Sequence, residues 1–148
     1  MNPLDIKEKF DGVFCSNGPG DPVDCQITVQ HIQQVLAKKI PFLGVCLGHQ
    51  LLGLAIGATT YKLPYGHRGL NQPCQDVTTG QAYLSSQNHG YAVERDTIPA
   101  GFEEWFINLN DQTNEGMRSK TQKAWSVQFH PEGDPGPFDT AWIFDLLK

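Results

Sequence analysis

Cys46 is the residue of this sequence whose surroundings best fit a reactive side chain. It stands at the centre of Gly44-Val45-Cys46-Leu47-Gly48, a Gly-x-nucleophile-x-Gly pattern with cysteine as the nucleophile. The apolar run 40–45 predicts a buried strand, and the apolar residues of 47–56 predict a buried helix that Gly57 can end. The unpaired N–H groups and dipole of that helix N-terminus favour a thiolate. A small buried cysteine between glycine spacers is an equally good interpretation of this pattern alone.

His130 is the best candidate for the base that a reactive cysteine needs. It directly follows the apolar run 124–129, a predicted strand, and Glu132 stands two residues later. A histidine and a carboxylate at one strand end can form a hydrogen bond that fixes the imidazole tautomer. Taken alone, the two residues also fit a turn residue and a solvated acid. His49 is predicted to pack inside the turn, because it points along the helix rather than at the thiol.

The composition restricts the class of protein. The chain has 148 residues and a net charge of -5, which argues against nucleic acid as a partner. It has no apolar stretch near 18 residues and no signal peptide, so no membrane association is expected. Its four cysteines are widely spaced without a C-x-x-C motif, which fits a reducing, cytoplasmic location. The cysteines and histidines lack metal-ligand spacing, and no metal is predicted.

The first half of the chain alternates strands and helices. Residues 12–15 predict a strand and 23–39 an amphipathic helix, followed by the strand and helix around Cys46. This order is typical of a parallel α/β sheet, in which ligands bind beyond the carboxyl ends of the strands. The loop with Gly18 and Gly20 is expected at that end, where its backbone N–H groups can approach a ligand. A plain strand-to-helix turn is the alternative.

The second half predicts short strands joined by polar segments. Residues 66–73 are predicted as a loop, 87–91 as a turn, and 138–148 as a closing helix, whereas 1–11 is predicted as a short helix or a frayed start. The predicted strands are 59–63, 82–86, 105–107, 116–118 and 124–129.

Several motifs together resemble a known family. Gly44-Val45-Cys46-Leu47-Gly48-His49-Gln50 with the later His130-Pro131-Glu132 resembles the class I (triad) glutamine amidotransferases. Within that family, four segments resemble the small, glutamine-hydrolysing subunits of carbamoyl-phosphate synthases. These segments are Ser16–Pro22, Gly66–Asn71, Gln87–Val93 and His130–Glu132 with the following Pro135–Asp139.

The resemblance implies a role for each matching residue. Cys46 would be the nucleophile, His130 the general base and acid, and Glu132 the residue that orients His130. The backbone N–H groups of Leu47 and of the Gly18–Gly20 loop would form an oxyanion hole. The residues that would hold L-glutamine are Gly18, Gly20, Leu47, Gln50, Asn88, Gly90 and Tyr91.

The resemblance also implies a fold, a partner and an extent. The fold would be α/β, with a mixed, mostly parallel central sheet flanked by helices in a flavodoxin-like arrangement. Residues 1–148 would form a single amidotransferase domain that lacks the family's first elements. The chain itself would need no cofactor, and ammonia would pass to a large synthetase subunit that uses ATP, Mg and bicarbonate. The alternatives are the glutaminase of another synthase, of the anthranilate or GMP type, and a non-catalytic docking fragment.

Overall fold

The computed structural model describes residues 1–133, 136–137 and 139–148. Its centre is one seven-stranded sheet with the strand order β1-β2-β7-β6-β5-β3-β4. The strands are β1 (Val13–Cys15), β2 (Phe42–Val45), β3 (Thr60–Asp76), β4 (Ala82–Val93), β5 (Phe102–Asn108), β6 (Asn114–Ser119) and β7 (Ala124–Val127). The α-helices are α1 (Gln26–Ala37) and α2 (Leu47–Ala55), and short 3-10 helices span Pro3–Asp5, Pro22–Asp24, Arg95–Thr97 and Ala141–Leu147.

The sheet is mixed, as the α/β prediction requires. β1, β2 and β7 are parallel neighbours, and the remaining pairings from β7 to β4 are antiparallel. The parallel part is therefore smaller than the sequence suggests. α1 connects β1 to β2 as a crossover, because parallel neighbours cannot be joined by a tight turn. Within the described residues, no helix is long and apolar enough to cross a membrane.

The two faces of the sheet have separate apolar cores. Successive residues of β2 point to opposite faces, as strand geometry dictates. Phe42 packs in a cluster with the buried residues of α1 and α2, whereas Leu43 and Val45 pack in a second cluster. The second cluster contains Trp105, Phe106, Phe129 and Ile143. Both faces of β2 are thus covered, and every one of its residues is buried.

Helix α1 is shorter than the predicted 23–39. Asp21 caps a preceding 3-10 turn by accepting a hydrogen bond from the Val23 backbone N–H at 3.0 Å, and α1 begins only at Gln26. The predicted closing helix is a 3-10 helix, Ala141–Leu147, in the part of it that is described. Asp134, Pro135 and Phe138 lie outside the described residues, and the predictions that involve Pro135 and Phe138 stay untested there.

The predicted loop 66–73 and turn 87–91 are wrong, because both segments belong to the long hairpin of β3 and β4. His67 pairs with His89 and Arg68 with Asn88 across this hairpin. The regular pairing of the hairpin is interrupted by register shifts between Lys62 and His67 and between Gly69 and Gln72. These irregularities lie near the glycines and prolines that suggested a loop. The buried face of β4 carries Ser85, Gln87 and His89 in alternation, so its period is that of a strand although its residues are polar.

Candidate active site

Cys46 lies at the sharp turn between β2 and α2 that the sequence predicts. Its backbone has φ 54° and ψ -104°, a conformation that costs a non-glycine residue roughly 1–3 kcal/mol. A Cβ atom at Gly48 would stand 2.0 Å from the carbonyl oxygen of Cys15, and one at Gly44 would stand 2.5 Å from the Gly48 carbonyl oxygen. The two glycines therefore permit a close approach of α2 to β1 and β2, and this packing holds Cys46 in its strained conformation.

The thiol of Cys46 is almost completely enclosed. Its side chain contacts the backbone oxygen of Asn88 at 3.9 Å and Nε2 of Gln128 at 3.8 Å, measured from Sγ. Burial raises the pKa of the Cys46 thiol to about 11, although hydrogen bonds from the Leu47 backbone and the Gln128 side chain act in the opposite direction. The expected preference for thiolate is therefore wrong, because the loss of hydration outweighs the helix N-terminus.

His130 and Glu132 follow β7, the strand that pairs with β2 ahead of Cys46. Val45 pairs with Val127 in the parallel register of β2 and β7, and the Cys46 N–H donates to the Val127 carbonyl at 2.9 Å. His130 follows three residues later. Its backbone N–H donates to the Ser86 carbonyl at 2.8 Å, which ties it to β4.

The predicted pairing of His130 with Glu132 is confirmed. Nδ1 of His130 lies 2.7 Å from Oε1 of Glu132, and the His130 side chain is 14% exposed. A carboxylate accepts from Nδ1–H, which leaves Nε2 of the ring free to take a proton. Across the described residues, no hydrogen bond joins His130 to the Cys46 sulfur. His130 and Glu132 are not among the described residues that line the cavity at Cys46, so the structure shows an oriented base after β7 without a contact to the thiol.

For the amidotransferase reaction that the family resemblance implies, we expect Glu132→Gln to lower kcat roughly 10²-fold. The amide can still accept from Nδ1 of His130, but it removes the charge that stabilises the imidazolium. The loss is smaller than for a fully buried carboxylate, because the Glu132 side chain is 43% exposed and solvent screens its charge. Steady-state glutamate release measures it, with the exposed Glu8→Gln as the charge-matched control. A Glu132→Gln protein with unchanged kcat would show that His130 needs no orienting carboxylate.

A cavity of about 330 Å³ opens onto Cys46. Every residue predicted to hold the ligand lines it, namely Gly18, Gly20, Leu47, Gln50, Asn88, Gly90 and Tyr91. Four further lining residues escaped the sequence prediction: Asp21, Lys62, Arg68 and His89. Arg68 and His89 could have been found from the sequence, because they lie in the Gly-His-Arg-Gly and Asn-His-Gly segments. These two segments are paired across the hairpin of β3 and β4.

The glycine loop after β1 forms one wall of this cavity. A Cβ atom at Gly18 would stand 2.9 Å from Cδ2 of Leu47, so the loop lies directly on the first residue of α2. The backbone N–H groups of Leu47 and Gly48 belong to the first turn of α2 and lack carbonyl partners within the helix. Gly18 and Gly20 line the cavity at Cys46, where a ligand-binding loop is expected, and the role of this loop in an oxyanion hole stays a prediction.

His49 packs inside the turn, as predicted. It is fully buried, and its Nδ1 lies 2.8 Å from the Ser126 hydroxyl oxygen. Burial lowers the pKa of His49 to about 3, so the ring is neutral at physiological pH. A neutral ring engaged with Ser126 is a structural element rather than a base for Cys46.

A buried polar cluster lies behind the ligand-facing strand β4. Nε2 of His67 lies 2.6 Å from Asp111 Oδ2, and its Nδ1 lies 3.2 Å from Oε1 of the fully buried Glu115. The His67 ring stacks edge-on against His89, whose Nδ1 donates to the Tyr91 carbonyl at 2.7 Å. Hydrogen bonding to Glu115 is the largest of the effects that raise the pKa of His67 to about 9. His67 thus lies between the acidic groups of Asp111 and Glu115, and burial raises the pKa of the Glu115 carboxyl in turn.

One donor atom from each of His67, His89 and Glu115 lies within 4.8 Å of the others. These are the residues that could hold a metal ion, because imidazole nitrogens and a carboxylate are common ligands of divalent metals. The ion pairs of His67 account for the cluster without a metal. The absence of a metal in this chain stays a prediction.

We expect the free energy of unfolding to decrease as the pH rises from about 6.5 to 9, by roughly 1–2 kcal/mol. The pKa of His67 is raised in the folded state, so protonation of His67 stabilises the fold at pH values below the pKa of an unfolded histidine. This stabilisation is lost as the pH increases past the folded pKa of about 9. The exposed part of Asp111 limits the size of the effect. Urea denaturation across this pH range measures it, and His67→Gln should remove this pH dependence whereas His31→Gln on α1 should keep it. Identical curves for His67→Gln and the parent would contradict the assignment.

The comparisons with known proteins agree with the site. The family model for glutamine amidotransferase class-I matches residues 2–148. The carbamoyl phosphate synthase arginine-specific small chain of Neurospora crassa is 55% identical over 141 residues, which are 95% of this chain and 31% of that protein. The protein of the same name from Yarrowia lipolytica is 54% identical over 146 residues, covering 95% of this chain and 33% of that protein. The chain thus spans about a third of the length of these curated relatives.

Solved structures place the fold in the same group. A putative GMP synthase protein from Thermoplasma acidophilum superposes with a TM-score of 0.81 at 18% identity, covering 99% of this chain and 75% of that one. A glutamine amidotransferase from Thermotoga maritima gives a TM-score of 0.68 at 25% identity, covering 80% of this chain and 56% of that one. The family model over almost the whole sequence, the fold and the elbow cysteine lead to one conclusion: this chain belongs to the class-I glutamine amidotransferases.

Proposed function

We propose that this chain hydrolyses L-glutamine to glutamate and ammonia through a thioester on Cys46. The observation that carries the proposal is the opening of one cavity onto a cysteine at a strained strand-to-helix turn. The oriented pair of His130 and Glu132 at the end of the neighbouring strand supports it. A nucleophile, a base and a group that orients the base are the parts that nucleophilic acyl transfer requires.

In the first half-reaction, Nε2 of His130 takes the thiol proton as glutamine enters the cavity. The sulfur then attacks the side-chain amide carbon of glutamine, and the carbonyl oxygen becomes an oxyanion. Backbone N–H groups of Leu47 and of the Gly18–Gly20 loop stabilise that charge. His130 returns the proton to the amide nitrogen, the C–N bond breaks, ammonia leaves, and a thioester remains on Cys46.

In the second half-reaction, His130 takes a proton from water, and the resulting hydroxide adds to the thioester carbonyl. The C–S bond breaks, glutamate leaves, and the sulfur regains its proton from His130. Glu132 keeps the ring in the tautomer that both halves need. Because burial raises the pKa of the Cys46 thiol, proton transfer to His130 is the step that this mechanism requires before sulfur attacks.

We infer that the ammonia serves carbamoyl phosphate formation on a separate large synthetase subunit. The support is the 54–55% identity to small chains of carbamoyl phosphate synthase over 95% of this chain. ATP, Mg and bicarbonate would be used by that partner, and this chain would contribute no cofactor. The proposed location is the cytoplasm, without nucleic acid or membrane as partners.

Two alternatives predict different results. A glutaminase of the GMP or anthranilate type shares the fold, but the similarity to the putative GMP synthase protein, at 18% identity, concerns the fold alone. A non-catalytic docking fragment would keep the fold without the reaction. Cys46 at the cavity, together with the oriented pair of His130 and Glu132 after the neighbouring strand, favours an active glutaminase over a docking fragment.

The test is glutamate and ammonia release from L-glutamine by the protein, alone and with the large subunit of a carbamoyl-phosphate synthase. We expect equal amounts of the two products and a rate that increases with the partner. Hydrolysis that increases only with a GMP or anthranilate synthase partner would favour those branches. A folded chain that binds the large subunit but hydrolyses no glutamine would identify a docking module.

A further inference from the structure

Gln128 is a fully buried polar residue that the sequence analysis did not single out. It lies between the end of β7 and His130, and its side chain contacts two residues of the site. Its Nε2 lies 3.8 Å from the Cys46 sulfur, and its Oε1 accepts from Nε2 of Gln50 at 3.1 Å. We infer that Gln128 is a positioning residue of the glutaminase that orients both the sulfur of Cys46 and the amide of Gln50. This inference rests on the proposed function.

The orientation of both amides follows from one backbone carbonyl. Nε2 of Gln50 donates to the Tyr91 carbonyl oxygen at 2.9 Å, and a carbonyl oxygen can only accept. The amino group of Gln50 must therefore face Tyr91, and its second N–H reaches Oε1 of Gln128. Gln128 is then obliged to present its own amino group to the Cys46 sulfur. The result is a chain of hydrogen bonds with a single possible direction, which we call the Gln50–Gln128 relay.

The relay distinguishes the two protonation states of the thiol. Two further polar groups face the thiol: the Leu47 backbone N–H, which also favours the thiolate, and the Asn88 carbonyl oxygen 3.9 Å from Sγ, an acceptor that can bind S–H but repels a thiolate. The amino group of Gln128 stabilises the thiolate instead. Because Cys46 is only 5% exposed, its sulfur has little hydration, and this donor matters more than it would at the surface when the proton leaves. Gln128 thus supplies a hydrogen bond that the sulfur needs as His130 removes the proton.

The relay also decides what Gln50 offers to a ligand. The Tyr91 carbonyl and Gln128 Oε1 take both N–H bonds of the Gln50 amide. Gln50 lines the cavity at Cys46, and the polar atom that remains for a ligand is its carbonyl oxygen. Gln50 is thereby fixed as an acceptor and suits an N–H group of glutamine. Without Gln128, the amide of Gln50 would lose one of the two acceptors that hold it in this orientation.

Two substitutions at Gln128 separate these roles. Gln128→Glu keeps an oxygen for the Gln50 amino group but replaces the donor to sulfur with a carboxylate oxygen. Gln128→Met has a similar volume and removes both hydrogen bonds. We expect both variants to shift the pH profile of Cys46 alkylation by iodoacetamide towards higher pH, with the rate at pH 8 falling roughly tenfold. We expect kcat for glutamine to fall in both variants and KM to rise only in Gln128→Met.

Mass spectrometry of the Cys46 peptide follows alkylation separately from the other three cysteines, and circular dichroism confirms the fold of each variant. Gln87→Met is the matched control, because Gln87 is also buried and its Nε2 contacts the sulfur of Cys74 at 3.3 Å. It should leave the Cys46 profile unchanged, whereas a general loss of packing would alter the profile in both proteins.

A Gln128→Glu or Gln128→Met protein with the parent alkylation profile would overturn the donor role of Gln128. An equal rise of KM in both variants would overturn its role towards Gln50. If the parent hydrolyses no glutamine, the proposed function fails, and the alkylation profiles still decide whether Gln128 acts on the sulfur.

Discussion

Cys46→Ala is expected to reduce kcat for glutamine hydrolysis roughly 10⁴- to 10⁶-fold, to the level of background release. The proposed reaction forms its covalent bond at the Cys46 sulfur, and no other described thiol lines the cavity. The fold should persist, because alanine removes only the thiol from a residue whose backbone conformation is imposed by the close packing of α2. Ammonia and glutamate release measure the effect.

Cys46→Ser sharpens this prediction. The hydroxyl is a much weaker nucleophile, and burial disfavours its ionisation even more strongly than that of the thiol, so we expect an inactive protein that still binds glutamine. Cys25→Ser is the matched control. Cys25 is the N-cap of α1 without a side-chain capping bond, and serine is a better N-cap than cysteine. Its activity should equal that of the parent, and hydrolysis by Cys46→Ala would refute the covalent route.

Gly48→Ala is expected to destabilise the protein by roughly 2–4 kcal/mol. Alanine favours a helix over glycine by about 1 kcal/mol, so α2 taken alone would predict a gain. The added Cβ would stand 2.0 Å from the carbonyl oxygen of Cys15 and 2.8 Å from its carbon. Both atoms belong to the backbone of β1, which cannot rotate away as a side chain could. The clash therefore outweighs the helix preference, and α2 must move away from the sheet.

Cys46 would move with α2 in the Gly48→Ala protein. A displacement near 1 Å of a reacting atom costs roughly 10²-fold in rate, so we expect kcat to fall even where the protein remains folded. Urea denaturation gives the change in stability. Gly101→Ala is the control, because no heavy atom lies within 4 Å of its Cβ position, and we expect it to be within about 0.5 kcal/mol of the parent. Equal stability of Gly48→Ala and the parent would contradict the close packing at this turn.

The sequence predicts the elements around Cys46 well because each has a clear physical signature. The apolar run before Cys46 is buried on both faces, and Gly44 and Gly48 reflect contacts that exclude a Cβ. The pairing of His130 with Glu132 follows from their separation of two residues at one strand end. These features depend on local patterns and on the rule that neighbouring parallel strands end at the same edge.

The sequence predicts only the first parts of β3 and β4, at 59–63 and 82–86, because the buried face of the remaining hairpin is polar. Ser85, Gln87 and His89 alternate as strand residues should, but their burial depends on hydrogen bonds to one another rather than on apolar contacts. A pattern of hydropathy cannot detect such a strand. The pairing of His67 with His89 requires the register of the whole hairpin, which is fixed only when the chain folds.

The protonation of Cys46 and the proposed role of Gln128 also cannot be predicted from the sequence. A helix N-terminus is visible in the sequence, but the burial that raises the pKa of the thiol to about 11 depends on strands far away in the chain. Gln128 stands inside the largely apolar run 124–129, where neither Ser126 nor Gln128 gives a signal of its function. Its contact with Cys46 spans 82 positions of the chain.

The central claim is that Cys46 attacks glutamine from within the cavity, and covalent labelling tests it most directly. A chloroketone analogue of glutamine should modify the protein once, at Cys46, and free glutamine should protect against the reaction. Cys15, Cys25 and Cys74 should remain unmodified, as peptide mapping by mass spectrometry would establish. Labelling at another cysteine, or labelling of Cys46 that glutamine does not prevent, would contradict the assignment of this cavity as the glutaminase site.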